Sequence, residues 1–419
     1  MKYDNHDRKL LSDMVVSTVQ KTPVLDVHTH LYDTSFGKLL LWGIDELLTY
    51  HYLIAEVFRA APMPYDTFWS MAREAQADYI WKHLFIERSP VSEACRGIVT
   101  CLKELGLDPA ERNLGLYRAF FKSMKPADYI DRVFATAGVR QVIMTNDPFD
   151  DLERPHWKKS MKRDSRFHAA LRIDKLLVDW ENACKSLSSW GYEVEPRLGN
   201  WTVYEIRRFL KDWAAMMKPA YMAASLPPTF TYPDDSACGR IIEQCVLPAG
   251  KELGLPFAMM IGVKKLVNHN LKLAGDSVGK AEIAALERLC AEHPDNRFLV
   301  TMLSRENQHE LCVTARKFPN LMIFGCWWFL NNPSIIREMT AERIELLGLS
   351  VIPQHSDARI LDQLIYKWKH SRAIIAEVLV EKYTDCAAAG WKITEEEVKR
   401  DVGLLFGGIF ENFTGSSIP

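Results

Sequence analysis

The heptapeptide VLDVHTH, residues 24–30, contains the pattern that decides the fold. It begins with apolar and β-branched residues, as a buried strand does, and ends in polar residues suited to chemistry. Seven more short apolar runs follow, separated by stretches with helical periodicity such as residues 281–293 and 307–318. Strands that alternate with helices are typical of parallel βαβ units. The eight runs therefore predict an α/β fold, a closed (β/α)₈ barrel. The other seven predicted strands cover residues 141–147, 167–174, 220–226, 256–262, 297–303, 321–328 and 351–357.

The spacing between the first two runs is unusually long. Residues 36–131 are rich in aromatic residues and helical patterning, and they exceed what one crossover helix needs. We interpret them as a helical insertion after the first strand. The sequence shows no internal repeat and no Pro/Gly-rich linker, so we expect residues 1–419 to form a single domain.

Composition and charge limit the classes of partner. The chain of 419 residues is 48% hydrophobic and 25% charged, the proportions of a globular protein. Its 52 basic residues oppose 54 acidic ones, giving a net charge of −2 and no overall field that would attract nucleic acid or a membrane surface. The expected partners are small molecules and other copies of the chain, in a homo-oligomer.

The cysteines and the N-terminal residues bear on location. Nine cysteines are scattered without a CxxC pair, which is typical of a reducing compartment. The opening residues MKYDNHDRKLLSDMVV lack the apolar core of a signal peptide, and no window is long and apolar enough to span a membrane. We expect a cytoplasmic protein.

Three polar residues share one face of the first predicted strand. Asp26, His28 and His30 alternate along the chain, so their side chains point the same way. Imidazoles about 7 Å apart along a strand can converge on one metal ion if the strand end curves toward it. The alternative is that they only hydrogen-bond to neighbours. Their place at the carboxyl end of a barrel strand, where catalytic residues collect, favours the metal site.

The last predicted strand offers the third ligand. In IPQHSDAR, either His355 or Asp357 could complete the site, and an aspartate would leave positions open for water or substrate. Asp357 could instead form an ion pair with Arg359. The fifth and sixth runs contain no histidine, so we expect one divalent metal: zinc fits two histidines and one aspartate best, with manganese, iron or cobalt as alternatives.

Three further residues could contact a substrate or serve the fold. Arg172 follows the third run, where a forked guanidinium suits a carboxylate, although it could equally pair with Asp174. His51 and Tyr52 lie in an apolar helical stretch of the insertion, where both could simply be core residues.

An aromatic pair ends the seventh run. Trp327 and Trp328 could wall a sugar pocket, because indole rings pack against the apolar faces of sugar carbons. Packing in the core is the equal alternative.

Taken together, these segments resemble the uronate isomerase (glucuronate isomerase) family of the amidohydrolase superfamily. The resemblance covers nearly the whole chain, with the segments in the family's order. It rests on the segments VLDVHTHL, LTYHYLIAEVFR, ALRIDK, GCWWFLNNPSIIREMTAERIELLG, HSDAR and GGIFENFTG.

The resemblance implies a distorted TIM-like barrel that interconverts an aldehyde uronate and its 2-keto isomer through an enediolate. Examples are D-glucuronate with D-fructuronate, and D-galacturonate with D-tagaturonate. Its motifs place the metal on His28, His30 and Asp357. They place the substrate against Arg172 and Arg359, with His51 and Tyr52 as further contacts or proton-transfer groups and Trp327 and Trp328 lining the pocket.

Three positions differ from the family pattern. Many members have a histidine in the fifth strand where this chain has Met260, an arginine where it has Lys265, and a serine where it has Ala358. Loss of the imidazole leaves room for a second hypothesis, a mononuclear metal hydrolase or decarboxylase acting on a related small carboxylate. A third is a sugar-acid binding protein without catalysis.

Overall fold

Seven parallel strands form the central sheet of the computed structural model, which describes residues 5–159 and 162–415. Along the sheet the seven strands are neighbours in the order in which they occur in the chain. One strand falls in each of the first seven predicted runs. Their bounds are β1 Val24–Thr29, β2 Val139–Asn146, β3 Phe167–Arg172, β4 Met222–Leu226, β5 Phe257–Ile261, β8 Phe298–Met302 and β9 Leu321–Ile323. A separate antiparallel pair follows β5 and consists of β6 Val263–Lys264 and β7 Ser277–Val278.

The eighth predicted strand, residues 351–357, is reduced to one bridge, in which Ile352 pairs in parallel with Phe324. The segment still closes the barrel. The amide of Asp357 donates to the carbonyl of His28 at 3.1 Å, and the amide of His30 donates to the carbonyl of Ala358 at 2.7 Å. A regular strand fails here because Pro353 has no N–H to donate and because Asp357 adopts a positive φ of 52°.

Burial on both faces of the strands explains their apolar composition. In β5, Ala258 and Met260 belong to the hydrophobic cluster inside the barrel. Their neighbours Phe257, Met259 and Ile261 belong to the cluster between the sheet and the surrounding helices. The side chains alternate with the period of two that a strand imposes. This is the α/β barrel that the sequence predicts.

The long segment between β1 and β2 is helical, as predicted. Its α-helices are Ile44–Leu48, His51–Ala60, Tyr65–Ser70, Arg73–Trp81, Glu93–Glu104, Leu114–Ser123 and Pro126–Ala137, joined by a π-helical turn Lys82–Ile86 and the 3₁₀ turns Thr34–Leu39 and Pro109–Glu111.

Further helices surround the barrel, and the longest follows the closing segment. The longest helix is Gln363–Ala388. It packs against the helix Asn5–Lys21, which precedes β1. Within the described residues, none of the helices combines the length and apolar character needed to cross a lipid bilayer. Residues 1–4 of the N-terminal segment lie outside the described residues. The other α-helices are Arg154–Lys158, Asp174–Val178, Trp180–Ser189, Asn200–Met217, Ala237–Ile241, Leu247–Leu253, Ala284–Glu292, Gln308–Ala315, Pro333–Leu347, Glu395–Gly403 and Ile409–Thr414. The remaining helical turns are the π-helical Ile242–Val246 and Leu404–Gly408 and the 3₁₀ turns His269–Gly275, Arg305–Asn307 and Trp328–Leu330.

Candidate active site

Three predicted metal ligands meet at the carboxyl end of the barrel. His28 lies in β1, His30 directly follows it, and Asp357 comes from the closing segment. One ligand atom from each lies within 4.8 Å of the others. Oδ1 of Asp357 lies 3.7 Å from Nε2 of His28 and 3.3 Å from Nε2 of His30. The curvature of the closed sheet brings together residues that the sequence separates by more than three hundred positions.

The hydrogen bonds behind His28 define its tautomer. The hydroxyl of Tyr221 donates its single proton to the carbonyl of Val27 at 2.8 Å, so its oxygen is left to accept from Nδ1 of His28 at 3.2 Å. Nδ1 therefore carries the proton. Nε2 of His28 presents a lone pair toward Asp357.

The same arrangement recurs behind His30. Oγ1 of Thr145 donates to the carbonyl of Thr29 at 3.0 Å and accepts from Nδ1 of His30 at 2.8 Å. Both imidazoles thus present Nε2 lone pairs to one point.

Burial keeps both rings neutral, the state in which imidazole binds a metal. It lowers the pKa of His28 to about 3 and that of His30 well below its ordinary value. Nε2 of His28 and Oδ1 of Asp357 are buried without a hydrogen-bond partner. Two lone pairs and a carboxylate oxygen directed at one point repel one another unless a cation lies between them. The residues therefore fit a divalent metal.

His355, the alternative third ligand, lies deeper. Its ring is fully buried and contacts those of His28 and Phe324, at centroid distances of 4.9 Å and 5.4 Å. A Cβ at Gly325 would lie 1.9 Å from this ring, so His355 fills the space left by the glycine. The structure brings Asp357, rather than His355, together with the two histidines.

A cavity that encloses about 510 Å³ of space, part of it open to solvent, lies beside the triad. It contains predicted site residues from the barrel, the closing segment and the insertion. Its lining consists of His30, Tyr50, His51, Arg172, Ser225, Met260, Val263, Lys265, Leu273, Trp327, Trp328, Asp357 and Arg359.

Two arginines supply positive charge to this cavity. Arg172 pairs with Asp174 through two hydrogen bonds of 3.0 Å and 2.7 Å, and it also lines the cavity. Although burial opposes it, this carboxylate keeps the pKa of Arg172 above its ordinary value. Arg359 lines the cavity next to Asp357, and no ion pair between the two is found among the described residues. Arg172, Arg359 and His30 also line a second, adjoining cavity.

The insertion delivers His51 to the site. The helix His51–Ala60 is anchored by its buried residues Leu53, Ile54 and Val57, which leaves His51 in its first turn, facing the cavity. Both ring nitrogens of His51 are buried without a hydrogen-bond partner, and burial lowers its pKa to about 3.

Tyr52 occupies a different environment from its neighbour. Its ring packs edge-on against those of Tyr50 and His51, behind the cavity lining, and its hydroxyl is buried. Burial raises the pKa of Tyr52 well above its ordinary value.

The tryptophan pair is buried and forms one wall of the cavity. Trp327 is 4% exposed and Trp328 is 9% exposed. Trp328 has a φ of 46°, a conformation that is an outlier for a bulky residue and often marks a functional site. Nζ of Lys265 lies 5.7 Å from its ring and pairs with the carboxylate of Asp276 at 2.9 Å.

Several residues of the site escape the sequence analysis. Tyr50 could have been found as the neighbour of His51, and Ser225 as a polar residue near the end of a barrel strand. Tyr221 and Thr145 give no such signal. Their side chains affect the site only through hydrogen bonds to His28 and His30.

Solved structures of known proteins resemble this chain closely. A uronate isomerase from Bacillus halodurans shares 57% sequence identity over 98% of this chain and 97% of that one, with a TM-score of 0.97. The chain belongs to the uronate isomerase family. A uronate isomerase from Thermotoga maritima (14% identity, 96% and 97% covered) and a glucuronate isomerase from Caulobacter crescentus (13%, 99% and 95%) each have a TM-score of 0.79. These two distant relatives share the fold. No protein-family model and no curated protein matches the chain.

Membership of the uronate isomerase family agrees with the resemblance in the sequence. It makes the chain an enzyme with the barrel of this family. The triad and the cavity lie where such a barrel carries its active site, at the carboxyl ends of the strands.

Proposed function

We propose that this chain isomerises aldehyde hexuronates to 2-ketoses, as from D-glucuronate to D-fructuronate or from D-galacturonate to D-tagaturonate. One observation carries the proposal. In a chain 57% identical to a uronate isomerase, His28, His30 and Asp357 converge beside a cavity that also contains two arginines.

His28, His30 and Asp357 would hold one divalent metal, which we propose is zinc. Two imidazole nitrogens and one carboxylate oxygen suit zinc best and tolerate manganese, iron or cobalt. Such an ion supplies Lewis acidity to a carbonyl or hydroxyl oxygen of the substrate.

Binding of the substrate falls to Arg172 and the two tryptophans. The guanidinium of Arg172 is held by Asp174 and can accept a second anion, the carboxylate of the sugar acid, without moving. Trp327 and Trp328 offer flat apolar surface to the sugar carbons.

Isomerisation removes a proton from the second carbon and delivers one to the first. Among the described residues that line the cavity, Asp357 alone carries a carboxylate, and we assign it the proton transfer. The guanidinium of Arg359, which lines the same cavity, stabilises the negative charge of the enediolate.

His51 and Tyr52 take supporting roles in this proposal. At neutral pH the His51 imidazole is uncharged, so it can both donate to and accept from substrate hydroxyls. With its raised pKa, Tyr52 keeps its proton and does not act as a base, and its ring supports that of His51.

The location and assembly of the enzyme are further parts of the proposal. We propose that it acts in the cytoplasm, in uronate catabolism, as a homo-oligomer. The nine free cysteines support a reducing compartment. Stacked, exposed Trp201 and Tyr204 support contacts between copies. Light scattering in solution tests the oligomer, and a monomer at micromolar concentration would contradict it.

The test of the activity is a uronate panel followed by NMR. Metal-loaded protein should convert D-glucuronate or D-galacturonate to the 2-ketose, and a chelator should stop the reaction. Asp357→Asn should abolish turnover, whereas Lys369→Met, at an exposed position paired with Glu104, should not. The proposal would be refuted if, at full metal occupancy, neither D-glucuronate nor D-galacturonate gave a ketose.

A further inference from the structure

The closing segment of the barrel is held by side chains of the helix that follows it. Oε1 of Gln363 accepts from the amides of Arg359 and Ile360 at 2.9 Å and 3.1 Å. Oγ of Ser371 accepts from Nε2 of Gln354 at 3.1 Å. These contacts fix the closing segment and the residues just after it to the helix.

Lys367 lies between these two residues on the same face, since residues four apart in a helix are neighbours. Its side chain is buried, with 4% of the residue exposed. Nζ of Lys367 donates to the carbonyl oxygen of Ser356 at 2.5 Å and lies 5.8 Å from the ring of Tyr52. A buried ammonium therefore contacts the residue before Asp357.

The peptide unit that joins Ser356 to Asp357 is fixed at both ends. Its carbonyl accepts from Lys367, and its N–H donates to the carbonyl of His28 at 3.1 Å. The φ angle of Asp357 sets the direction of its side chain relative to this fixed plane, and it has the unusual value of 52°. Such a conformation is strained for a residue other than glycine and persists only where its surroundings impose it.

A second contact of the helix reaches the same peptide. Nε1 of Trp368 donates to Oδ2 of Asp26 at 2.8 Å, and Oδ1 of Asp26 accepts from the amide of Ser356 at 3.1 Å. The residue before Asp357 is thus bound to the helix at its carbonyl directly and at its amide through Asp26.

We propose that Lys367 is a positioning residue for the metal centre. Its ammonium holds the Ser356–Asp357 peptide in the plane that directs the Asp357 carboxylate at Nε2 of His28 and of His30. Since this inference rests on the metal role of Asp357 in the proposed function, its test measures metal binding separately from isomerisation.

A purely structural role predicts a different outcome. Replacing a buried charged group by a well-packed apolar one of similar size is often neutral or stabilising. If Lys367 served stability alone, Lys367→Met would change the melting temperature and leave the ligands in place. If it positions Asp357, the same variant should fold and lose metal affinity.

The experiment compares Lys367→Met and Lys367→Gln with the matched control Lys369→Met. Lys369 lies on the same helix, 53% of its side chain is exposed, and it pairs with Glu104 on the surface. Zn²⁺ affinity is measured by competition with a chromogenic chelator without uronate, alongside kcat, KM and the melting temperature.

Lys367→Met should bind Zn²⁺ about 10- to 100-fold more weakly, the usual effect of losing a partner of a metal ligand. Its kcat should fall more than its KM changes. Lys367→Gln keeps a donor and should recover part of the affinity, and Lys369→Met should match the native enzyme.

Unchanged Zn²⁺ affinity in Lys367→Met would overturn the inference. So would equal losses in Lys367→Met and Lys367→Gln, because the hydrogen bond would then not matter. If Lys367→Met does not fold, the comparison of Lys367→Gln with the native protein decides in the same way. If the native protein forms no ketose while Zn²⁺ affinity still falls in Lys367→Met, the proposed function fails and the positioning role stands.

Discussion

Gly325→Ala should weaken the proposed metal site by displacing the ring of His355, which packs against His28. A Cβ at Gly325 would lie 1.9 Å from Cδ2 and 2.5 Å from Nε2 of His355. The first contact must lengthen to the 3.4 Å of ordinary van der Waals contact, so the ring must recede by about 1.5 Å. The His355 ring is fully buried and packs against the ring of His28, so the shift passes to a metal ligand.

The free-energy cost of this substitution has two parts. Gly325 has a φ of 68°, and a Cβ in the left-handed region costs about 1–2 kcal/mol. Forcing extra volume into a packed interior costs about 1–3 kcal/mol more. Gly325→Ala should therefore lower the free energy of unfolding by about 2–5 kcal/mol and weaken Zn²⁺ binding at least tenfold.

Gly106→Ala is the matched control. Gly106 has a φ of 77°, and a Cβ there would meet nothing within 4 Å, so only the backbone cost applies. The assays are equilibrium unfolding in urea and Zn²⁺ competition with a chelator. The reasoning is refuted if Gly325→Ala is as stable as Gly106→Ala and binds Zn²⁺ like the native protein.

Three further predictions concern residues around the cavity. Arg172→Lys should raise the KM for a uronate about tenfold or more and change kcat less, because the forked contact with a carboxylate is lost. Steady-state kinetics measure both constants, and equal effects on KM and kcat would contradict this prediction. Tyr221→Phe should weaken Zn²⁺ binding about 10- to 100-fold because Nδ1 of His28 loses its acceptor, whereas Tyr192→Phe on the outside should leave it unchanged. His51 should remain neutral at neutral pH because burial lowers its pKa to about 3, so its ring ¹⁵N shifts should show no titration near pH 6.5. Since the unfolded chain takes up that proton near pH 6.5 and the folded chain does not, His51 should reduce stability as the pH falls from about 6.5 toward 3, and His51→Phe should remove this contribution.

The sequence predicts those parts of the structure that depend on local pattern. Apolar runs identify β1 to β5, β8 and β9 because strands buried on both faces need continuous apolar residues. His28, His30 and Asp357 could be placed together because the carboxyl ends of barrel strands meet at one face.

Other features depend on contacts between distant segments and leave no local pattern. The eighth predicted strand is irregular because Asp357 adopts a positive φ, and the amides of Arg359 and Ile360 just after it donate to Gln363 of the following helix. The tautomers of the two histidines depend on Thr145, which lies in β2, and on Tyr221, which directly precedes β4. Nothing in the sequence distinguishes Lys367 from other lysines in helices, because its partner, the carbonyl of Ser356, comes from another segment.

Anomalous X-ray diffraction from Zn²⁺-loaded crystals locates the metal directly. We expect a single strong peak about 2.0–2.2 Å from Nε2 of His28, Nε2 of His30 and a carboxylate oxygen of Asp357, and loss of that peak in Asp357→Ala. A peak elsewhere in the barrel, or one that persists unchanged in Asp357→Ala, would show that these three residues do not hold the metal.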